Sequence, residues 1–252
     1  VQYTLKKSLG QHFLKDENIC RKIVSAVEQQ QPLRLLEVGP GAGAITKYLL
    51  KIENVIFKAI ELDQEKVEFL EHTYPEIKGK LIHQSFLDAS QPFDEPFMVV
   101  GNFPYNISTQ ILFKVLEWKQ SVPCVIGMFQ KEVAQRVAAK EGSKTYGILS
   151  VLVQAFYKVE YLFDVNEQCF NPPPKVKSGV IRLTTAASIP EMKSEKAFFL
   201  LVKTAFNQRR KMLRNGVKSL FDEETLKDEI FTKRAEQLTV AQFAALTFRM
   251  NV

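Results

Sequence analysis

Asn102-Phe103-Pro104-Tyr105 follows directly on the apolar run Pro96–Gly101 and gathers four unusual groups at one point of the chain. The Asn side-chain oxygen accepts a hydrogen from an amino group. Pro104 fixes its own φ and keeps the residue before it extended, which aims a backbone carbonyl at the same spot. The Tyr ring offers a face to a flat base. Together they grip a planar amine by its N–H bonds and its π-face, as methyl transfer to the amino nitrogen of a nucleobase requires. Asn and Pro also start ordinary turns, so the tetrapeptide alone is balanced between the two uses. Its neighbours decide.

Leu35-Leu36-Glu37-Val38 runs into Gly39-Pro40-Gly41-Ala42-Gly43 and then into a helical pattern. Glycines at a strand-to-helix turn let the backbone approach a ligand closely, and the helix N-terminus adds a positive dipole. The spacing is Gly-x-Gly-x-Gly, not the Gly-x-Gly-x-x-Gly of dinucleotide enzymes. Glu37 stands where its carboxylate meets a cationic or amino-bearing ligand. Glu61 closes the second strand, where a carboxylate accepts both hydroxyl hydrogens of a ribose; the competing use is capping the next helix, for which Asp63 is the better placed. Asp88 follows the third strand and is a candidate acceptor for the amino group of a cofactor's adenine, although an isolated Asp there reads as a turn residue.

The elements that must hold these groups alternate in type. Strands are expected at Leu33–Val38, Val55–Leu62, Lys80–Gln84, Phe97–Asn102, Cys124–Phe129, Tyr157–Val165 and Val180–Thr184. Helices are expected at Glu17–Gln29, Ala44–Lys51, Gln64–Thr73, Thr109–Trp118 and Lys131–Lys140. The alternation implies a mostly parallel sheet covered on both faces. No clear helix separates the last two strands, which suggests an antiparallel edge pair. Past Ile189-Pro190 only helical periodicities remain: Lys196–Phe206, Gln208–Leu220, Glu223–Ile230 and Val240–Arg249. The expected division is therefore 1–188 and 189–252.

The 252 residues are 46% hydrophobic and 25% charged, an ordinary globular composition. No apolar run reaches the roughly 18 residues of a membrane span, and the N-terminus does not read as a secretory signal. Cys20, Cys124 and Cys169 are far apart and the three histidines show no ligand spacing, so neither structural disulfides nor a metal site is expected, and a reducing cytoplasm is. The net charge is +6, and Lys203, Arg209, Arg210, Lys211, Arg214 and Lys218 fall in one stretch without an acid. Basic runs are commonly solvated helix faces. This one is interleaved with Phe206, Gln208, Met212 and Asn215, and it reads as a phosphate-contacting surface.

Taken together, the glycine turn, the acidic strand end, the loop Asp and Asn-x-Pro-Tyr resemble, in this order, the S-adenosylmethionine-dependent amino-methyltransferases. Gly10–Leu14, Met128–Ala134, Ser143–Gly147, Phe170–Ser178 and Ala205–Lys211 sharpen the likeness. Over nearly its whole length the chain resembles the KsgA-type (RsmA) small-subunit ribosomal RNA adenine N6,N6-dimethyltransferases. The resemblance implies a Rossmann-like class I methyltransferase fold, α/β, with a mostly parallel seven-stranded sheet, followed by a small all-helical RNA-binding domain. It implies S-adenosyl-L-methionine as cofactor, held by His12, Leu14, Gly39, Gly41, Glu61, Asp88 and Asn102. The catalytic set would be Asn102, Phe103, Pro104, Tyr105 and Phe170, with Tyr105 and Phe170 as the two faces of a base sandwich. RNA would be held by Lys203, Arg209, Arg210, Lys211 and Arg214. The partners would be small-subunit rRNA and the small ribosomal subunit, met by a monomer with no membrane association.

This sequence departs from the family pattern twice. His12 stands where Asn is usual, and Phe103 where Leu is usual, a bulkier wall for the pocket. Two other readings share features with this one. A large-subunit methylase of the macrolide-resistance type has the same fold and Asn-x-Pro-Tyr, but the Gln208–Leu213 run resembles the small-subunit enzymes more. A ribosome-assembly or other nucleic-acid-binding factor with secondary or lost methylation is opposed by the intact Glu61, Asp88, Asn102 and Tyr105. The glycine spacing and Asn-x-Pro-Tyr disfavour a nicotinamide dehydrogenase.

Overall fold

The computed structural model describes residues 12–251, so Gly10 and Gln11 of the first motif lie outside the described residues. The strands are β1 (Phe13–Leu14), β2 (Arg34–Val38), β3 (Ile56–Glu61), β4 (Leu81–His83), β5 (Met98–Asn102), β6 (Cys124–Gln130), β7 (Tyr157–Val165), β8 (Phe170–Asn171) and β9 (Ser178–Thr185). The helices are α1 (Glu17–Glu28), α2 (Thr46–Leu49), α3 (Gln64–Thr73), α4 (Ser108–Glu117), α5 (Lys131–Ala138), α6 (Ile148–Gln154), α7 (Glu195–Phe206), α8 (Leu213–Val217) and α9 (Val240–Leu246).

Seven strands form one sheet in the order β4-β3-β2-β5-β6-β9-β7. The first five of these are parallel, and β9 runs antiparallel to β6. The central strands carry apolar residues on both faces: Leu35, Leu36, Val99, Val100, Val125 and Ile126 are all buried, as a sheet covered on both sides demands. The chain leaves β2 toward β3 on one side and returns to β5 on the other, which makes the carboxyl ends of β2 and β5 a switch point, where α/β sheets bind ligands. A small second sheet pairs Phe13 with Asn171 and Leu14 with Phe170. It joins the N-terminal motif to the Pro-rich one.

Capping chemistry sets the helix starts that matter for the site. Asp16 accepts from the backbone N–H groups of Asn18 and Ile19 at the start of α1, whose apolar stripe of Cys20, Ile23, Val24 and Val27 is buried. Asp63 accepts from Glu65 N at the start of α3. Several helices are shorter than their periodicity suggests. The 223–230 segment forms only two 3₁₀ turns, because Asp222 and Asp228 bond forward to Thr225 N and Ile230 N and hold the chain in turns. A helix absent from the sequence reading, α6, lies between Gly147 and β7.

The described chain falls into two compact units. The first holds residues up to 134 together with 160–185, and the second holds 135–159 together with the residues from 186 onward. The last of these crossings falls between residues 185 and 186. The expected division left 135–159 in the first domain, whereas α6 packs against α7 and α9 of the second unit. Among the described residues no helix is long and apolar enough to cross a membrane.

Candidate active site

A cavity of about 690 Å³ opens in the first unit at the carboxyl ends of β2, β3, β4 and β5. His12, Leu14, Gly39, Gly41, Glu61 and Asn102, all expected at a cofactor, line it. So do Phe103, Pro104 and Tyr105. Gly39 and Gly41 have φ values of +67° and +61°, in the left-handed region that favours glycine. A Cβ at either would make only ordinary contacts, at 3.9 and 4.0 Å, so the backbone conformation selects glycine and the turn is a cradle that a ligand can approach. Gly43, at +83°, differs: a Cβ there would lie 2.5 Å from the Tyr74 ring, so its role is packing.

Glu61 is fixed before any ligand arrives. Its Oε1 accepts from Leu62 N and Asp63 N at 2.9 and 3.0 Å, and its Oε2 accepts from Gly41 N at 3.1 Å. One carboxylate thus ties the end of β3 to the glycine turn after β2, and the remaining lone pair on Oε2 is available to a hydroxyl. Glu37, 1% exposed, also lines the cavity. Its Oε2 accepts from Thr46 Oγ1 at 2.7 Å. Burial pushes its carboxyl up to about 8; the Thr46 bond works against this and the negative Glu61 adds to it. A cation in the cavity would favour the ionised form. The left-handed cradle, the oriented Glu61 and the buried Glu37 fit a nucleoside bearing a positive sulfur.

The acceptor side is equally defined. Asn102, half-buried, ends β5 at the cavity. Phe103 N donates to Met128 O at 3.2 Å, the last rung of the β5–β6 ladder before the turn. Tyr105 Oη and Ser178 Oγ lie 2.6 Å apart, and burial raises the phenol's pKa despite that bond. The His12 ring lies 5.5 Å from the Tyr105 ring. His12 Nδ1 is 2.8 Å from Pro172 O. A carbonyl only accepts, so Nδ1 carries the hydrogen and, in the neutral ring, Nε2 remains an acceptor. The segment 172–178 is therefore fastened at both ends to residues of the cavity wall.

Two expected residues are elsewhere. Phe170 is fully buried in the apolar core with Val165 and Val180, and it does not line the cavity. Its strand partner Leu14 belongs to the same core and also reaches the cavity wall. Asp88 is exposed at the end of a 3₁₀ turn, Phe86–Asp88, and lies outside the cavity. Gln84 and Ser85, immediately after β4, line it instead. The rule that ligands sit at strand carboxyl ends points to them, although neither is acidic.

The basic stretch lies in the second unit. Lys203, Arg210, Lys211 and Arg214 are exposed. Arg209 has acidic company after all, from far along the chain: its Nη2 is 2.5 Å from Glu236 Oε2 and also donates to Lys144 O at 3.0 Å. Gly142 N donates to Glu236 O, and Tyr146 Oη donates to Leu238 O. Arg209 is thereby an anchor for the 142–146 loop.

The model of the family described as ribosomal RNA adenine dimethylase matches residues 2–250 of the chain. The chain belongs to this family. A dimethylase of this kind is an S-adenosylmethionine-dependent methyltransferase. The chain is 52% identical over 247 residues to ribosomal RNA small subunit methyltransferase A of Phocaeicola vulgatus, covering 96% of this chain and 88% of that one. It is 52% identical over 250 residues to the Flavobacterium johnsoniae protein of the same name, covering 98% and 95%. Among solved structures, a dimethyladenosine transferase from Plasmodium falciparum superposes with a TM-score of 0.77 at 25% identity, over 92% of this chain and 94% of that one. The 23S rRNA methyltransferase ErmE superposes with a TM-score of 0.74 at 22% identity, over 95% and 100%, and shares the fold.

Proposed function

We propose that this dimethylase transfers methyl groups from S-adenosylmethionine to N6 of two adjacent adenines in the 3′-terminal hairpin loop of small-subunit rRNA. The product is N6,N6-dimethyladenosine, made by a cytoplasmic monomer as a late step of ribosome biogenesis. The observation that carries the reading is the seating of Asn102-Phe103-Pro104-Tyr105 at the carboxyl end of β5, on the wall of the cavity that holds the Gly39–Gly41 cradle. The names of the half-identical relatives support the choice of subunit.

The cofactor supplies an electrophilic methyl on a positive sulfur. The protein's task is the acceptor, because the N6 lone pair of adenine is delocalised into the ring. Asn102 Oδ1 and the backbone carbonyl of the Phe103–Pro104 segment accept the two N–H hydrogens, which favours a pyramidal nitrogen with an available lone pair. The cofactor, when bound, would supply the methyl and keep the departing electron pair on its sulfur, and the surplus proton on the adenine nitrogen would leave to water. The work is positioning and electrostatics, with no strong base. Tyr105 stacks on the base. After the first transfer one N–H remains, and the pocket then holds the monomethyl adenine in a rotated pose for the second. The exposed cations of the second unit hold RNA phosphates.

Labelled S-adenosylmethionine incubated with unmethylated small subunits, large subunits and free rRNA, followed by mass spectrometry of the nucleosides, tests the reading. Dimethyladenosine from small subunits is expected. Label in large subunits alone would replace it with the resistance-type reaction. Asn102→Ala is expected to abolish turnover while the dissociation constant for S-adenosylmethionine, measured by calorimetry, stays within about threefold; near-normal turnover would overturn the mechanism.

A further inference from the structure

Gly101 and Gly127 face each other in register across the parallel pair β5–β6. Glycine weakens a strand interior and, where it recurs, marks close approach by another group. Here that group is the ring of Phe103. The ring is 1% exposed, lies over both glycines and packs on Phe129 with centroids 5.1 Å apart. A Cβ at Gly127 would overlap the Phe103 ring and lie 2.7 Å from Phe129 Cε2. A Cβ at Gly101 would lie 2.7 Å from the Phe103 ring and 2.6 Å from Val38 O. Neither position tolerates a side chain while the ring is in place. The two glycines form a slot, and Phe103 fills it.

The slot sits at a decisive point of the chain. The Phe103 N–H makes the last rung of the β5–β6 ladder, and beyond it the backbone leaves the sheet to form the turn. Asn102 precedes the ring and Pro104 and Tyr105 follow it. A ring wedged into the sheet removes rotation about the Phe103 backbone that would otherwise swing the Asn102 side chain and the neighbouring carbonyl away from the cavity.

We infer that Phe103 is a positioning residue whose ring, seated in the Gly101–Gly127 slot, sets the aim of the two hydrogen-bond acceptors toward the amine of the substrate adenine. This rests on the proposed role of Asn102 and deepens it. The larger ring is seated against the sheet, and the paired glycines are its counterpart there. Gly127 and Phe129 do not line the cavity. A change at Gly127 reaches the reacting atoms through the ring or through the neighbouring Met128 carbonyl that holds the Phe103 N–H, and removal of the ring separates the two routes.

Gly127→Ala, Phe103→Leu and the double variant separate the possibilities, with Asn102→Ala as a parallel control. Single-turnover methyl transfer and calorimetric binding of S-adenosylmethionine are read for each. Gly127→Ala is expected to lower the transfer rate about ten- to hundredfold, the range expected for displacing reacting groups by about 1 Å. Cofactor binding should stay within about twofold. Phe103→Leu removes the ring edge that the new methyl meets and leaves Phe129 room to move. The double variant should therefore regain at least about tenfold over Gly127→Ala in transfer rate. A double variant no faster than Gly127→Ala would overturn the inference, as would equal losses of cofactor binding and rate in Gly127→Ala. Should Gly127→Ala fail to fold, Phe103→Ala decides: a slowed transfer with intact cofactor binding supports the slot, and an unchanged rate refutes it. Asn102→Ala keeps the two claims apart, since full turnover in that control removes the underlying mechanism, whereas an inactive control with no rescue removes only the slot.

Discussion

Glu37 shows how much chemistry one buried residue contributes. Buried in the cavity wall, its carboxyl holds a proton up to about pH 8, whereas an unfolded glutamate releases it near 4.5. The folded chain thus binds more protons than the unfolded one between those values, and Glu37 makes stability fall as pH rises through that window. A buried carboxyl so placed on the cavity wall agrees with a role toward a ligand. A positive sulfur in the cavity favours the ionised carboxylate, so binding expels the proton and affinity climbs with pH below about 8. Binding of S-adenosylmethionine is expected to tighten by up to roughly fivefold from pH 7 to pH 8. Glu37→Gln should flatten that slope, and S-adenosylhomocysteine, which lacks the positive sulfur, should show less of it. Calorimetry across this range checks the expectation; equal slopes for wild type and Glu37→Gln would remove the residue from cofactor recognition.

Elements bring these residues together, and the link between β9 and the turn after β5 is the most local test of that. Ser178, fully buried at the start of β9, meets the Tyr105 hydroxyl across 73 residues of sequence. Ser178→Ala leaves a partly buried phenol without its partner and is expected to cost about 1–3 kcal/mol, read as a lowered urea midpoint. It should also raise the KM for the RNA more than it lowers kcat, because the stacking ring is loosened; unchanged stability and KM would show the bond to be incidental. The central strands, α1, α3 and the glycine turn were legible in the sequence because period, caps and punctuation agree there: Asp16 and Asp63 cap where the apolar pattern begins. Legibility ended where tertiary pairing decides. Phe170 reads as a pocket residue beside three prolines, yet it packs in the core with Val165 and Val180, and such packing is not local information. Asp88 has the right chemistry, but a 3₁₀ turn places it in solvent and leaves Gln84 and Ser85 at the cavity. The short α6 follows Gly147 with an almost wholly apolar run, Ile148–Val153, that has no amphipathic period to betray it.

Charge is a property of the whole molecule, and its distribution carries the last distinction. The net +6 is concentrated in a segment where sequence alone makes every cation equivalent. The structure separates them. Arg209 is bound to Glu236 and to the Lys144 carbonyl, so its charge is spoken for within the second unit; Arg210 and Lys211 beside it are exposed. Phosphate contacts release counterions, and each one lost lowers the slope of log K against log salt by about 0.7–0.9. Reversing Arg210 and Lys211 to Glu is expected to weaken binding to the small subunit and to reduce that slope by roughly 1.4–1.8, with the thermal midpoint nearly unchanged. Arg209→Gln should do the opposite. It frees the 142–146 loop and leaves Glu236 without its cation, so the thermal midpoint falls, while the salt slope moves by less than about 0.5. Filter binding over a salt series, paired with thermal denaturation, reads both. A large slope change for Arg209→Gln with an unchanged midpoint would return that residue to the RNA surface, and an unchanged slope for the double reversal would take the surface out of RNA recognition.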